Sequence, residues 1–130
     1  TIGFGDIAVA AATNPLADKA VAALKQAGVP VQLLQNYDGL QSAAVKVGTH
    51  HRIKGLEFKQ VFLPFLSAHK FPVIPVGVKD ADERREHEER SLSQLFVAMT
   101  RARDQLFVTC TGDPADAIIG ALDQFELRPS

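Results

Sequence analysis

The sequence has one cysteine, four histidines, no long apolar run and almost no net charge, with 14 basic against 15 acidic residues. One cysteine cannot close an internal disulfide. Cys110 therefore points to a reducing, cytoplasmic setting, and its strand-like surroundings read it as a small core residue. His50, His51, His69 and His87 have no cysteine or carboxylate cluster at ligand spacing, which argues against a metal centre. No stretch approaches the roughly 20 apolar residues of a membrane helix, and no basic-then-apolar leader opens the chain. Net charge of -1 argues against a domain that wraps nucleic acid as a whole. Any such contact must be local or shared with another domain. There is no G-x-x-x-x-G-K-[ST] and no paired-acid strand, so the backbone array that cradles nucleotide phosphates is missing. Internal repeats and low-complexity segments are absent as well.

What is present fits one soluble domain over residues 1–130 with a core of its own. The first residue is Thr1 rather than Met, and the expectation is a piece of a longer polypeptide. Ile7-Ala8-Val9-Ala10-Ala11-Ala12 reads as a strand buried on both faces. Asn14 as N-cap and Pro15 at the first helical position open a helix that Gly28 ends. Val31–Leu34, Val45–Gly48, Gln60–Pro64 and Leu106–Thr111 read as further strands, with turn chemistry at Asn36-Tyr37-Asp38-Gly39. Pro72, Pro75 and Gly77 make residues 67–80 a loop. Asp80–Arg90 is densely charged, and Asp82–Arg90 mixes signs at helical spacing, which reads as a solvated helix face laced with i,i+4 pairs. Ser91–Arg103 reads as a helix, and Asp113-Pro114 opens a last one over Ala115–Phe125. Strands alternate with helices, which predicts an α/β fold with a mostly parallel sheet.

Two segments carry chemistry. In Phe96-Val97-Ala98-Met99-Thr100-Arg101-Ala102-Arg103 an arginine stands where a helix gives way to a strand. Its planar fork keeps its charge and can reach a phosphate across an interface. Taken alone, Arg101 and Arg103 read as ordinary helix-end cations. The second segment is Thr49-His50-His51-Arg52-Ile53-Lys54-Gly55-Leu56-Glu57-Phe58. The preceding strand delivers Thr49 to the carboxyl end of the sheet, where ligands of open α/β sheets bind. Gly55, lacking a Cβ, leaves room for close approach. His50 reads as exposed.

Together the two segments resemble motifs V and VI of the UvrD/Rep family of superfamily 1 DNA helicases, whose patterns are roughly T-x-H-x-x-K-G-L-E-[FWY] and Y-V-A-x-T-R-A. The resemblance implies a RecA-like three-layer domain, the second of two motor domains. It implies that Thr49, His51, Arg52 and Lys54 lie along single-stranded or partly duplex DNA. By the same resemblance Gly55 sits near nucleotide phosphates, Glu57 contacts the ribose and Arg101 reaches the γ-phosphate. ATP with Mg2+ would be bound mainly by the first motor domain, and movement on DNA would run 3′ to 5′. The chain departs from the family in three places. The lead-in Glu88-Glu89-Arg90-Ser91-Leu92-Ser93 to the second motif is displaced, as if by two inserted residues, so no role is carried over to Glu89 or Arg90. The family's motif IV arginine aligns with Asp18, beside Lys19. Only the short stretch Gln35–Lys46 stands where many relatives insert an accessory domain, so that domain is either absent from this branch or removed. A non-catalytic RecA-like module that binds DNA or protein is the alternative reading.

Overall fold

The structure, a computed structural model, describes residues 2–40, 42–110, 112–116 and 118. Five strands form one sheet: β1 (Ile7–Ala11), β2 (Val31–Leu33), β3 (Val45–Thr49), β4 (Phe58–Leu63) and β5 (Ala102–Val108). Their order is β2-β3-β1-β4-β5 and every pairing is parallel. α1 (Asn14–Gln26) links β1 to β2, and α2 (Ala81–Met99) links β4 to β5. The expected α/β class holds, and the sheet is wholly parallel among the described residues.

Parallel strands need cover on both faces, and the pleat sorts their side chains accordingly. Ala8, Ala10, Val61 and Leu63 join Leu95, Ala98 and Met99 of α2 in one buried cluster. Val9, Ala11, Val45 and Val47 join Leu16, Ala17 and Ala20 of α1 in another. β1, at the centre, is therefore buried on both sides, as its unbroken apolar run requires. The result is the expected three-layer arrangement.

Local boundaries differ from the sequence reading where capping chemistry decides. Thr13, not Asn14, is the N-cap of α1; its hydroxyl accepts from the Leu16 amide, which places Pro15 one position further in. Gly28, at φ 80°, then ends the helix. Its amide donates to Lys25 and that of Val29 to Leu24, so the last carbonyls are satisfied in a Schellman turn. The charged stretch Asp82–Arg90 is helical, as its i,i+4 spacing predicts, and no break separates it from the helix expected over Ser91–Arg103. It is the first half of α2, capped by the Asp80 carboxylate on the Glu83 amide and braced by Arg84–Glu88 at 3.2 Å. Loop 72–80 is tied to the same helix where the Val73 amide donates to Ser91 Oγ. α2 stops at Met99, so Arg103 lies in β5 rather than in a last helical turn. Cys110 lies past the end of β5 and is exposed, not a core residue. The helix expected over Ala115–Phe125 lies mostly outside the described residues.

Adjacent residues of α2 should respond very differently to truncation. Leu95 is fully buried and Phe96 is 47 % exposed. In urea unfolding, Leu95→Ala should cost about 2–5 kcal/mol, and Phe96→Ala well under half of that, although phenylalanine is the larger side chain.

Candidate nucleotide and DNA-binding edges

The two motif segments meet, but not where the general rule for open sheets would put both. Thr49 ends β3, level with Ala11, at the carboxyl end of the sheet. Phe58 begins β4 at the amino end, paired with Ala102. Residues 50–57 must therefore run the length of the sheet. Because β1 stands between β3 and β4, they also cross it. They do so as a turn over 50–55 followed by two residues of irregular chain. Ile53 and Leu56 pack into the cluster on the α2 side. The Arg52 and Ile53 amides donate back to the Thr49 carbonyl, and the Leu56 amide to that of Ile53. Gly55 stands at φ 82°, and a Cβ built there would meet nothing within 4 Å. The glycine is thus required by backbone conformation, and the space beside it is open.

At the amino end, the Phe58 amide donates to the Arg101 carbonyl at 3.0 Å, which sets Glu57 beside Arg101. Glu57 is exposed and Arg101 half-buried. The Arg101 guanidinium donates to Thr100 Oγ1 at 3.1 Å, and its Nε is buried with no hydrogen-bond partner among the described residues. No carboxylate pairs with it; the ion pairs among the described residues are Lys59–Asp6 and Arg84–Glu88. Asp6 stands at this same end. The Gly3 amide holds its carboxyl below the usual range, desolvation opposes this, and Lys59 adds to it.

At the carboxyl end, His51, Arg52 and Lys54 are exposed and unpaired by any acid among the described residues, so three cation-capable groups share one turn. The Thr49 hydroxyl accepts from the Arg52 amide at 3.3 Å and shapes that turn. A crevice of about 540 Å³ opens at the same end, lined in part by Thr13, His69, Lys70, Phe71, Ile74 and Arg84. It borders the start of α1, whose first turn carries no acid to offset the helix dipole. Sequence reasoning missed Lys70 and Arg84, because an isolated cation in a loop or on a polar helix face carries no periodic signal. Asp18 and Lys19 lie exposed in the second turn of α1, also towards the carboxyl end. Among the described residues no group of His, Cys, Asp and Glu could hold a metal.

His50 corrects an expectation. It is buried, at 2 % exposure, edge-on to Phe71 with ring centroids 6.3 Å apart. The turn explains the inward placement: His50 and Ile53 stand three residues apart and share the face that packs on the sheet. Spacing i, i+3 from an isoleucine was the available signal. Burial lowers the imidazole pKa from 6.5 to about 4, against a backbone hydrogen bond at Ala10 that raises it. Its Nε2 has no partner among the described residues.

The chain is thus an α/β module with a half-buried cation near a carboxylate at one end of a parallel sheet and exposed cations on the turn that leaves the other. The matching family model is the UvrD-like helicase C-terminal domain, over residues 6–113, and the chain belongs to that family. It is 35 % identical over 88 residues to a probable DNA helicase II homologue of Mycoplasma capricolum, covering 66 % of this chain and 11 % of that protein. It is 38 % identical over 65 residues to the ATP-dependent DNA helicase PcrA of Staphylococcus epidermidis, covering 50 % of this chain and 8 % of that protein. The chain thus spans about a tenth of the length of these relatives. The C-terminal domain of a possible DNA helicase from Lactobacillus plantarum shares the fold, with TM-score 0.62 at 20 % identity over 88 % of this chain and 61 % of that one. No helix among the described residues is long and apolar enough to cross a membrane.

Acid should find His50. Its folded pKa lies below its unfolded one, so the unfolded state takes up the proton first. Stability should then fall as pH drops from about 6.5 towards 4, by up to about 3 kcal/mol from this group. Urea titrations of the parent and His50→Leu across that window test it, and the difference between the two curves should grow as pH falls.

Proposed function

We propose that this domain is the second motor domain of an ATP-dependent DNA helicase, supplying half of an ATP site at its amino end and part of a single-stranded DNA track at its carboxyl end. One observation carries the reading. The fold brings Glu57 and Arg101 together at one edge, and among the described residues the guanidinium there has neither a carboxylate partner nor a partner for its buried Nε. A cation left free at a domain surface suits an anion supplied from outside.

The residues fit half of a nucleotide site and no more. Arg101 offers a fork for the terminal phosphate, Glu57 an acceptor for ribose hydroxyls, and Gly55 open space for the phosphates. The phosphate-cradling loop would come from the first motor domain, the partner across the cleft. ATP with Mg2+ supplies the phosphoryl transfer that drives movement. Arg101 stabilises charge as it shifts onto the transferring group, an interaction stronger in the transition state than in the ground state. At the other end Thr49, His51, Arg52 and Lys54 offer hydrogen bonds and charge to a phosphodiester backbone, and the crevice by Lys70 and Arg84 lengthens that track. Movement 3′ to 5′ and a cytoplasmic setting follow the family resemblance.

The isolated chain should fold and not hydrolyse ATP, because one arginine cannot replace an array of backbone amides and a lysine. A phosphate-release assay decides it; Mg2+-dependent turnover above the no-enzyme control would contradict this division of labour. Single-stranded DNA should bind weakly, with a shallow dependence of log K on log salt, since few cations are available.

In the polypeptide that carries both motor domains, Arg101→Ala should lower kcat for ATP by about 10³–10⁵ and change KM little. Arg101→Lys should rescue only in part, because a point charge cannot reproduce the fork. Arg103→Ala, on an exposed strand position, should be mild. Steady-state kinetics at saturating DNA compare the three. A near-normal kcat in Arg101→Ala would move the non-catalytic binding module ahead.

A further inference from the structure

Lys46, the second residue of β3, is 1 % exposed. Its ammonium donates to three backbone carbonyls, those of Ala44 at 3.0 Å, Ser42 at 3.2 Å and Gly5 at 3.5 Å. An ammonium has three donors, and each finds an oxygen here. Burial pulls its pKa down, with Asp6 opposing. Two chain segments, the approach to β1 and the connector before β3, are thus drawn onto one cation. The Tyr37 ring closes over it, with Nζ 5.3 Å from the ring centroid.

The same ring continues outward. Tyr37 and Phe58 pack with centroids 6.1 Å apart at 41°. Phe58 is the residue whose amide holds the Arg101 carbonyl, and Glu57 precedes it. A continuous series of contacts therefore runs from Lys46 through Tyr37 and Phe58 to the Arg101 junction, all at the amino end of the sheet. This matters because no carboxylate among the described residues aims the Arg101 guanidinium, which donates only to the neighbouring Thr100 Oγ1. Both residues ride on the backbone junction between α2 and β5, and that junction is held from the β4 side by the Phe58 amide.

We propose that Tyr37, seated on Lys46, is a positioning residue that fixes Phe58 and, through it, the Glu57–Arg101 edge presented to the nucleotide. The proposal rests on the reading of that edge as half of an ATP site. The contacts are made by the Tyr37 ring, so Tyr37→Phe should preserve them and Tyr37→Ala should not.

Two amides at opposite ends of the sheet provide the test. The Phe58 amide bonds to Arg101, and the His50 amide bonds to the Ala11 carbonyl at 2.9 Å. In native-state hydrogen exchange on this chain, Tyr37→Ala and Lys46→Met should speed exchange at Phe58 by on the order of tenfold, with His50 changed by less than about twofold. Tyr37→Phe should match the parent. If Lys46→Met does not fold, Tyr37→Ala carries the test alone. Equal acceleration at both amides would mean that the ring only adds global stability, and it overturns the proposal, as does an unchanged Phe58.

In the polypeptide with both motor domains, Tyr37→Ala should lower kcat for ATP roughly tenfold to a hundredfold, the scale of a small misplacement, and leave the Kd for single-stranded DNA alone. Tyr37→Phe should restore kcat. A parallel loss of DNA affinity, or an unchanged kcat beside a slow Arg101→Ala, overturns the proposal. A silent Arg101→Ala beside selective exchange at Phe58 instead sinks the ATP-site reading and leaves the contact series standing.

Discussion

Thr49 and Phe58 stand at opposite ends of the sheet, and residues 50–57 are all that join them. So short a link across a central strand leaves little slack, and much of the local sequence answers to that constraint. On the face that the segment crosses, β1 presents Ala8 and Ala10, and small side chains there let the segment lie close. Ile53 fills the space above, fully buried, and His50 turns inward with it although its imidazole must then stay neutral. Gly55 supplies the left-handed backbone that turns the chain toward β4. The segment thus carries exposed cations at its start and a carboxylate at its finish, while its inner face is core. The tight packing that fixes it also makes the two ends mechanically continuous.

The electrostatics are local for the same reason. A chain of net charge -1 cannot draw in nucleic acid by its overall field. It can present individual cations that no acid among the described residues has claimed. Arg101 is such a cation at one end, and Arg52 and Lys54 are such cations at the other. Lys46 is the opposite case, a cation consumed by the fold. Its three carbonyls leave it nothing to offer a ligand, and its work is to hold chain segments together.

Much of the architecture was legible in the residues. The double-sided burial of β1, the proline and glycine that punctuate α1, and the alternation of strand and helix all express local rules. Spacing also gave the two motif segments. Three features escaped it. The N-cap went to Thr13 because a hydroxyl, one residue earlier than the expected Asn14, captured the free amide of Leu16. The charged helix face and the helix from Ser91 proved to be one α2, begun at the Asp80 cap and braced by Arg84–Glu88, and no apolar stripe across the charged half marked that continuity. The contacts among Lys46, Tyr37 and Phe58 are long-range, and no periodicity within one segment can report on a ring from another. The same is true of which end of the sheet each motif residue reaches, since that follows from strand order.

Strand order also bears on the departure at Asp18. An arginine there in relatives, taken with Arg101 as a second phosphate contact, would have made its loss count against a working nucleotide site. In this fold Asp18 lies in the second turn of α1, which starts at the carboxyl end of the sheet, whereas Arg101 stands at the amino end. The two side chains thus start from elements that meet opposite ends of the sheet. Position 18 belongs to the helix that covers one face of the sheet, whereas residues 50–57 cross on the other face, the α2 side. On the proposed reading, the departure at position 18 therefore bears on the carboxyl end of the sheet rather than on the Arg101 edge, and it weighs little for a non-catalytic module.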